Sequence, residues 1–498
     1  MNDLLLLPIL VPLAGALVAL VGERAGPGLE RAAGAAATLA LLPVAAALFG
    51  LAAEGRVVAY AVGDWPAPFG IILVLDRLAA WVLLVTAVVA AGALLSALGR
   101  ADESGRHFHV LFQFQLMGIN GAFLAGDLFN LFVFFELLLI ASYALLSHGA
   151  RPERTMAAVR VAVLNLLGST LFLVAVGCLY SAAGTLNFAD LAQRAASLPA
   201  DRAGLWQAGA WLLVVVFALK AAVLPLGFWL PAAYGAADGA VAALFSVLTK
   251  VGVVAVVRSG TLLFPDLGIG QVSWVAALGT LAAGATGMLA ARRMSRLAAH
   301  AVVTSVGVLL VAVAPFTRES LAAATYYLAH GTLATAALFL VSARIAALRG
   351  DRIEAGPAFR GRVALPLAFL CAAVAVAGLP PLGGFLAKAA ILDAAAGGSR
   401  AGWTFAAVLA TSLLSTFALA RAGSTVFWKV GPDAGEVVDV RHGGALASSG
   451  AGVLLAALLL LAALAGPVYR QAEAVATQLL DREGYVQAVF GARPGAGG

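Results

Sequence analysis

Stretches of about twenty consecutive apolar residues, each long enough to span ~30 Å of hydrocarbon, recur in this sequence from residue 4 to residue 465. Lipid offers no partners to a peptide group, so a continuous apolar run that crosses it must bond its own backbone as a helix. Composition agrees with that reading. Of 498 residues, 62% are hydrophobic and 11% charged, where a soluble protein carries about a quarter charged. The fold class is therefore an all-α polytopic membrane protein. The first run, "MNDLLLLPILVPLAGALVALVG", has no basic residue ahead of it. It reads as a retained span rather than a cleaved signal peptide.

About fourteen transmembrane helices are expected, over residues 4–21, 32–53, 71–98, 108–125, 128–146, 156–180, 205–234, 240–263, 272–290, 297–314, 321–347, 363–396, 403–427 and 445–465. The distribution of basic residues tests that count. The odd-numbered connections and their margins carry Arg24, Arg31, Arg100, Arg106, Arg151, Arg154, Arg292, Arg293, Arg296, Arg344, Arg349, Arg352, Arg360, Lys429 and Arg441. The even-numbered ones carry only Arg56, Arg194, Arg202, Arg258, Arg318 and Arg400. Basic connections face the cytoplasm, so both termini are expected outside it, in a cytoplasmic (inner) cell membrane. Topology thus accounts for the net charge of +6, and no nucleic-acid partner is expected.

Two runs are interrupted near their middle, by "LPLGFWLP" (224–231) and "GLPPLGGF" (378–385). Proline removes a donor and clashes with the preceding turn, while glycine frees the backbone. Such breaks at membrane depth are tolerated only beside protein or a water-filled cavity. Their placement five spans apart predicts two inverted five-helix repeats, the fourth to eighth spans against the ninth to thirteenth. The segments are then 1–105, a three-helix start; 106–264 and 265–430, the repeats; and 431–498, a final helix and tail.

Charge inside the spans is rare and selective. Only four lysines accompany 27 arginines, and Lys220, Lys250 and Lys388 all lie within apolar runs. Arginine holds its proton at any accessible pH, whereas a buried lysine can release one. Glu136 sits in the middle of the fifth span, where an acidic group costs about 2.5–3.5 kcal/mol unless paired or hydrated. An acid on the fifth span and a base on the seventh suit a buried ion pair. His330, with Tyr326 one turn before it, adds a titratable group to the eleventh span. Read in order, Glu136, Lys220, Lys250, His330 and Lys388 form the series that a proton relay requires. Snorkelling lysines, a purely structural pair and a packing histidine are the plainer readings of the same residues. Ser246 and the pair Thr304 and His300 add polarity to the eighth and tenth spans. Asp76 and Arg77 read as caps at the outer end of the third span, and His107 and His109 as loop residues. No metal or cofactor is expected, since no His, Cys, Asp or Glu cluster has ligand spacing and no glycine loop suits a phosphate. Cys178 and Cys371, the only cysteines, exclude a disulfide framework.

Several stretches then resemble one family. "LFNLFVFFELLLIASYALL", "LKAAVLPLGFWLP", "AVAALFSVLTKVG", "RLAAHAVVTSVG", "YYLAHGTLATAALFL" and "GLPPLGGFLAK" resemble the antiporter-like subunits shared by respiratory complex I and Mrp-type multisubunit cation/proton antiporters. "GDWPAPFGIILVLDRLAAW", "FQFQLMGINGAFLAGDLFNLFVFFE" and "RAGSTVFWK" look most like the D-type subunit of Mrp antiporters. The resemblance implies a proton-translocating subunit of a Na⁺ or K⁺/H⁺ antiporter, a secondary transporter rather than an enzyme, assembled with other subunits in the bilayer. It makes Glu136 the fifth-span acid, Lys220 its partner, Lys250 the central lysine and Lys388 the terminal one. The sequence departs from many relatives at Gly227 and Tyr234, where histidine is usual, at Thr335, where a lysine is usual, and at His300, where tyrosine is usual. A proton-pumping subunit of a complex I-type oxidoreductase or membrane hydrogenase is the alternative, and a non-transporting scaffold subunit a third.

Overall fold

The computed structural model describes residues 2–22, 26–98, 101–357, 359–360, 363–429, 438–439 and 446–491. Arg24, Arg100 and Arg441 of the charge pattern lie outside them. The chain is a multi-pass helical membrane protein. Helices α1 (Leu7–Gly22) and α2 (Pro27–Ala53) lead to an antiparallel hairpin, β1 (Val58–Ala61) and β2 (Ile72–Leu75). There follow α3 (Arg77–Ala97), α4 (Phe108–Leu124), α5 (Leu128–Ser147), α6 (Pro152–Ala183), the short α7 (Phe188–Arg194) and α8 (Ala203–Lys220). Next are α9 (Leu230–Ala236), α10 (Gly239–Phe245), α11 (Leu248–Arg258), α12 (Ile269–Ala290), α13 (Met294–Val313) and α14 (Arg318–Arg349). The rest is α15 (Ala364–Ala377), α16 (Gly383–Ala395), α17 (Ala401–Phe427), α18 (Leu446–Ala463), α19 (Ala465–Leu480) and α20 (Arg482–Gly491).

Eleven helices among the described residues are long and apolar enough to cross a membrane, or twelve if the bent pair α18–α19 counts as one. That is fewer than the fourteen apolar runs for a physical reason. Helix α4 has only 17 residues, the twelfth run splits into α15 and α16, and the fourteenth bends by 84° where α18 meets α19. The third run also begins as strand rather than helix, because residues 72–75 pair with the hairpin's first strand. His109 is not a loop residue: it lies on α4, buried beside Asp102 at 3.5 Å.

Local chemistry sets the helix limits. Asp76 accepts from the Ala79 amide at 2.8 Å and Asp127 from Asn130 at 2.6 Å, so each satisfies an orphan donor at a helix start. Thr317 and Ser320 form a reciprocal capping box on α14. Gly184 and Gly378 end α6 and α15 with φ of 72° and 76°, a conformation that side chains with a Cβ resist. The connections gather at two ends. Arg31 bonds Asp102 and Glu103, Arg154 faces Asp238 at 3.4 Å, and the Met294 amide meets the Asp351 carbonyl, all within odd-numbered connections or their margins. At the other end, the Gly126 amide bonds the Ile72 carbonyl and Phe188 bonds Gly126.

The core is built around α14, which is buried from Ser320 to Ser342 and packs against α3, α10, α13, α15, α16, α18 and α19. Helices α19 and α20, beyond the last apolar run, cross the even-numbered end. Ala472, Val475, Ala476 and Leu479 form the buried face of α19, the i, i+3, i+4, i+7 spacing of an amphipathic helix. Under α20 lies an ion pair, Arg258 Nη1 to Asp76 Oδ2 at 2.5 Å, with the Tyr485 ring 5.6 Å from the guanidinium. Breaking a buried pair from one side strands the other charge and costs about 3–5 kcal/mol. Arg258→Ala is therefore expected to lower the thermal midpoint of the purified protein markedly, and Tyr485→Phe hardly at all. A fluorescence melting curve of each variant checks this.

Candidate functional site

Each of the three buried lysines stands at an irregularity in its helix. Lys220 is the last residue of α8, and the chain then turns through Ala222 at φ 58°. Gly227 must lack a side chain, because a Cβ there would collide with the Ala222 carbonyl. The loosened strand is tied down: the Leu224 amide donates to Thr280 Oγ1 at 3.0 Å and Trp229 Nε1 to the Leu219 carbonyl at 3.3 Å. Lys388 stands beyond the second break, on α16. Lys250 lies two residues into α11, after a turn at Ser246 and Val247 that interrupts the eighth run. Neither proline nor glycine marks this turn, and sequence reading does not find it.

Lys220, Lys250, His330 and Lys388 are respectively 5%, 1%, 2% and 6% exposed, whereas Glu136 on α5 is half-buried. Glu136 and Lys220 do not touch directly, as an ion pair would require. Helix α6 stands between them and supplies the bridge. Ser169 Oγ donates to Glu136 Oε1, and Lys220 Nζ donates to Ser169 Oγ at 3.4 Å and to Asn165 Oδ1 at 3.3 Å. Gly168 allows the close approach, since a Cβ there would lie 2.6 Å from Leu219. Asn165 and Ser169 are functional candidates that sequence reading misses. Their signal is two polar residues at i, i+4 on one face of an apolar helix.

The second break holds another pair. Two carbonyls at the end of α15 each meet a side chain: Ala377 accepts from Lys388 Nζ at 2.7 Å, and Ala375, which also accepts from the Gly378 amide, faces His330 Nε2 at 3.0 Å. Ser412 on α17, also missed from sequence, accepts from Lys388 at 2.8 Å. Glycines make the room. A Cβ on Gly378 would sit 2.7 Å from Lys388, and one on Gly384 would sit 2.6 Å from His330 Nε2. His330 Nδ1 is buried without a hydrogen-bond partner. Lys250 joins neither cluster and bonds only Thr249 Oγ1, at 3.4 Å. Thr335 returns its hydroxyl to the Gly331 carbonyl of its own helix at 2.8 Å. His300 Nδ1 is buried without a partner.

Two cavities lead toward Lys220. One of about 20 Å³ is lined by Lys220, Asn165, Trp229, Tyr234 and Phe245, enough for about one water molecule. A vestibule of about 670 Å³ opens at the odd-numbered end between Arg151, Asp238, Arg293 and Asp351 and reaches Tyr234. Tyr234 lines both, and its hydroxyl donates to the Phe245 carbonyl at 2.9 Å, at the turn before α11. No group of three or more His, Cys, Asp or Glu among the described residues is arranged to hold a metal.

Known proteins resemble this chain in sequence and fold. The chain is 40% identical to a probable K⁺/H⁺ antiporter D-type subunit of Rhizobium meliloti, over 96% of each sequence. It is 34% identical to a Na⁺/H⁺ antiporter D-type subunit of Alkalihalophilus pseudofirmus, over 98% of this chain and 100% of that one. Its fold matches a chain in the Mrp complex from Dietzia sp. DQ12-45-1b with a TM-score of 0.88 and 27% identity, covering 98% and 99% of the two chains. A family model, NADH:quinone oxidoreductase/Mrp antiporter, TM, spans residues 125–417 and so includes Glu136, all three buried lysines and His330. The chain belongs to the transmembrane family shared by NADH:quinone oxidoreductases and Mrp antiporters.

Proposed function

We propose that this protein is the D-type, proton-translocating member of a multisubunit antiporter that exchanges Na⁺ or K⁺ for protons across the cell membrane. The observation that carries the proposal is the placement of its buried bases. Lys220 and Lys388 lie at helix breaks, where carbonyls, hydroxyls and a small cavity can serve a group that gains and loses a proton, and Lys250 lies just after a tightened turn of its span. Glu136, Ser169 and Lys220 form one hydrogen-bonded unit, His330 and Lys388 a second around the end of α15, and Lys250 stands between them in the chain, on the eighth span. A proton enters from the vestibule past Tyr234 to Lys220, and leaves from Lys388. The named relatives are themselves antiporter subunits, which supports the partner set: the other subunits of the complex, protons and the exchanged cation.

Lys220→Ala is expected to abolish cation-dependent dissipation of a pH gradient in everted vesicles while the complex still assembles. Lys388→Arg is expected to fail as well, since arginine keeps its proton. The double variant should be little worse than the worse single, as for groups acting as one unit. Substantial antiport by Lys388→Arg would show that only a fixed charge is needed there. Ser169→Ala is expected to reduce flux about tenfold or more, because a hydrogen bond to a charged group contributes about 1.5–3 kcal/mol.

The segregated connections and the excess of arginine at the odd-numbered end support fourteen crossings with both termini outside the cytoplasm. In a background without Cys178 and Cys371, Ser197→Cys should react with an impermeant thiol reagent from outside the cell. Glu354→Cys should react only in everted vesicles. Reaction of both from one side would overturn this topology.

A further inference from the structure

Basic residues are scarce at the even-numbered end of the bundle, and most of them are occupied. Arg258 pairs with Asp76 and Arg194 with Asp190 at 2.9 Å. Arg400 lies 5.0 Å over the Trp274 ring, and Arg202 and Arg482 donate to the carbonyls of Ala182 and Ala192. Arg56, Arg318 and Arg470 differ: within the described residues they form no ion pair, hydrogen bond or ring contact. Together with Arg77 they line one open cavity of about 970 Å³. Hydrated surface arginines have no physical reason to converge from four separate elements, because like charges repel.

The cavity is built rather than incidental. Arg77 is held by the Ala53 carbonyl at 2.9 Å and by Gln471 at 3.4 Å. Gln478 on the roof helix α19 accepts from the Arg77 amide at 2.7 Å and donates to the Gly55 carbonyl at 3.0 Å. Arg77 and Arg318 are the first residues of α3 and α14, so the positive ends of two long helices point the same way. Four guanidinium groups face two carboxylates there, Glu473 and Asp481, and Asp481 already accepts from the Gly484 amide at 2.9 Å. The surplus is positive and suits an anion with several oxygens, which arginine grips bidentately.

The flank identifies the source of that anion. Leu459 and Leu460 on α18 are 54% and 59% exposed, and Leu464, at the 84° bend into the Arg470-bearing α19, is 45% exposed. Apolar surface for acyl chains thus directly precedes, along the chain, the helix that brings Arg470 to the cavity. We propose that this cavity binds the phosphate headgroup of an anionic phospholipid, whose tails lie along α18, and that the lipid braces α19 and α20 over the bundle. A free phosphate has the same headgroup chemistry but no use for the leucines.

The test uses the whole antiporter complex, purified and placed in vesicles of phosphatidylcholine alone or phosphatidylcholine doped with phosphatidylglycerol. The wild type is expected to melt several degrees higher with phosphatidylglycerol. The double variant Arg318→Gln and Arg470→Gln should lose that increment while melting like the wild type in phosphatidylcholine. Both residues lie outside the proton path, so antiport in phosphatidylcholine should be unchanged. Three results would each overturn the proposal: no increment in the wild type, an increment kept by the variant, or inorganic phosphate in phosphatidylcholine reproducing it. So would loss of partner subunits from the variant in either lipid, which would make the cavity a socket for an acidic segment of a partner protein.

Discussion

An ammonium group surrounded by hydrocarbon is tolerable only where something replaces its water, and an intact helix has no carbonyl to spare. That constraint organises the interior of this protein. The Ala377 carbonyl that holds Lys388 exists as an acceptor because α15 stops one residue later, at Gly378. Lys220 is held by Asn165 and Ser169 because α8 ends on it and lets the side chain reach α6. Proline and glycine at these places are conditions for burying the charge, and the charge in turn gives the freed backbone a partner.

A bundle with broken members needs one that is continuous. Helix α14 runs unbroken for 32 residues through the centre and meets the halves on either side of the second break through α15 and α16. It holds His330 rigidly against the Ala375 carbonyl. Rigidity on one side and discontinuity on the other bring His330 and Lys388 to the same helix end without the scaffold losing its packing. Glycines 378 and 384 decide how close the two sides come, since a methyl group at either would occupy the space of Lys388 or His330.

Much of this is legible in the sequence because hydrocarbon permits so few solutions. Apolar runs give helices, and Pro-Leu-Gly and Pro-Pro-Leu-Gly-Gly give two breaks. The rarity of lysine singles out three positions. What is not legible depends on contacts between distant segments or on turns without a marker residue. The turn at Ser246 and Val247 has no proline or glycine, and the helix there only tightens, with Ser246 bonding the Ala243 carbonyl and Val247 that of Leu244. Ser169 looks like any small residue in a span until α5 and α8 are placed on both sides of it. Helices α19 and α20 escape notice for another reason: their apolar residues are spaced for one face, not strung into a run.

Tyr485 on α20 covers an ion pair whose two members, Asp76 and Arg258, belong to much earlier parts of the chain. A ribosome delivers the chain from the amino end, so both charges reach the bilayer while their cover has yet to be translated. Until α20 is made, the pair has its two members but lacks the Tyr485 ring beside it. The packing of this end of the bundle is therefore completed by the helix that is made last.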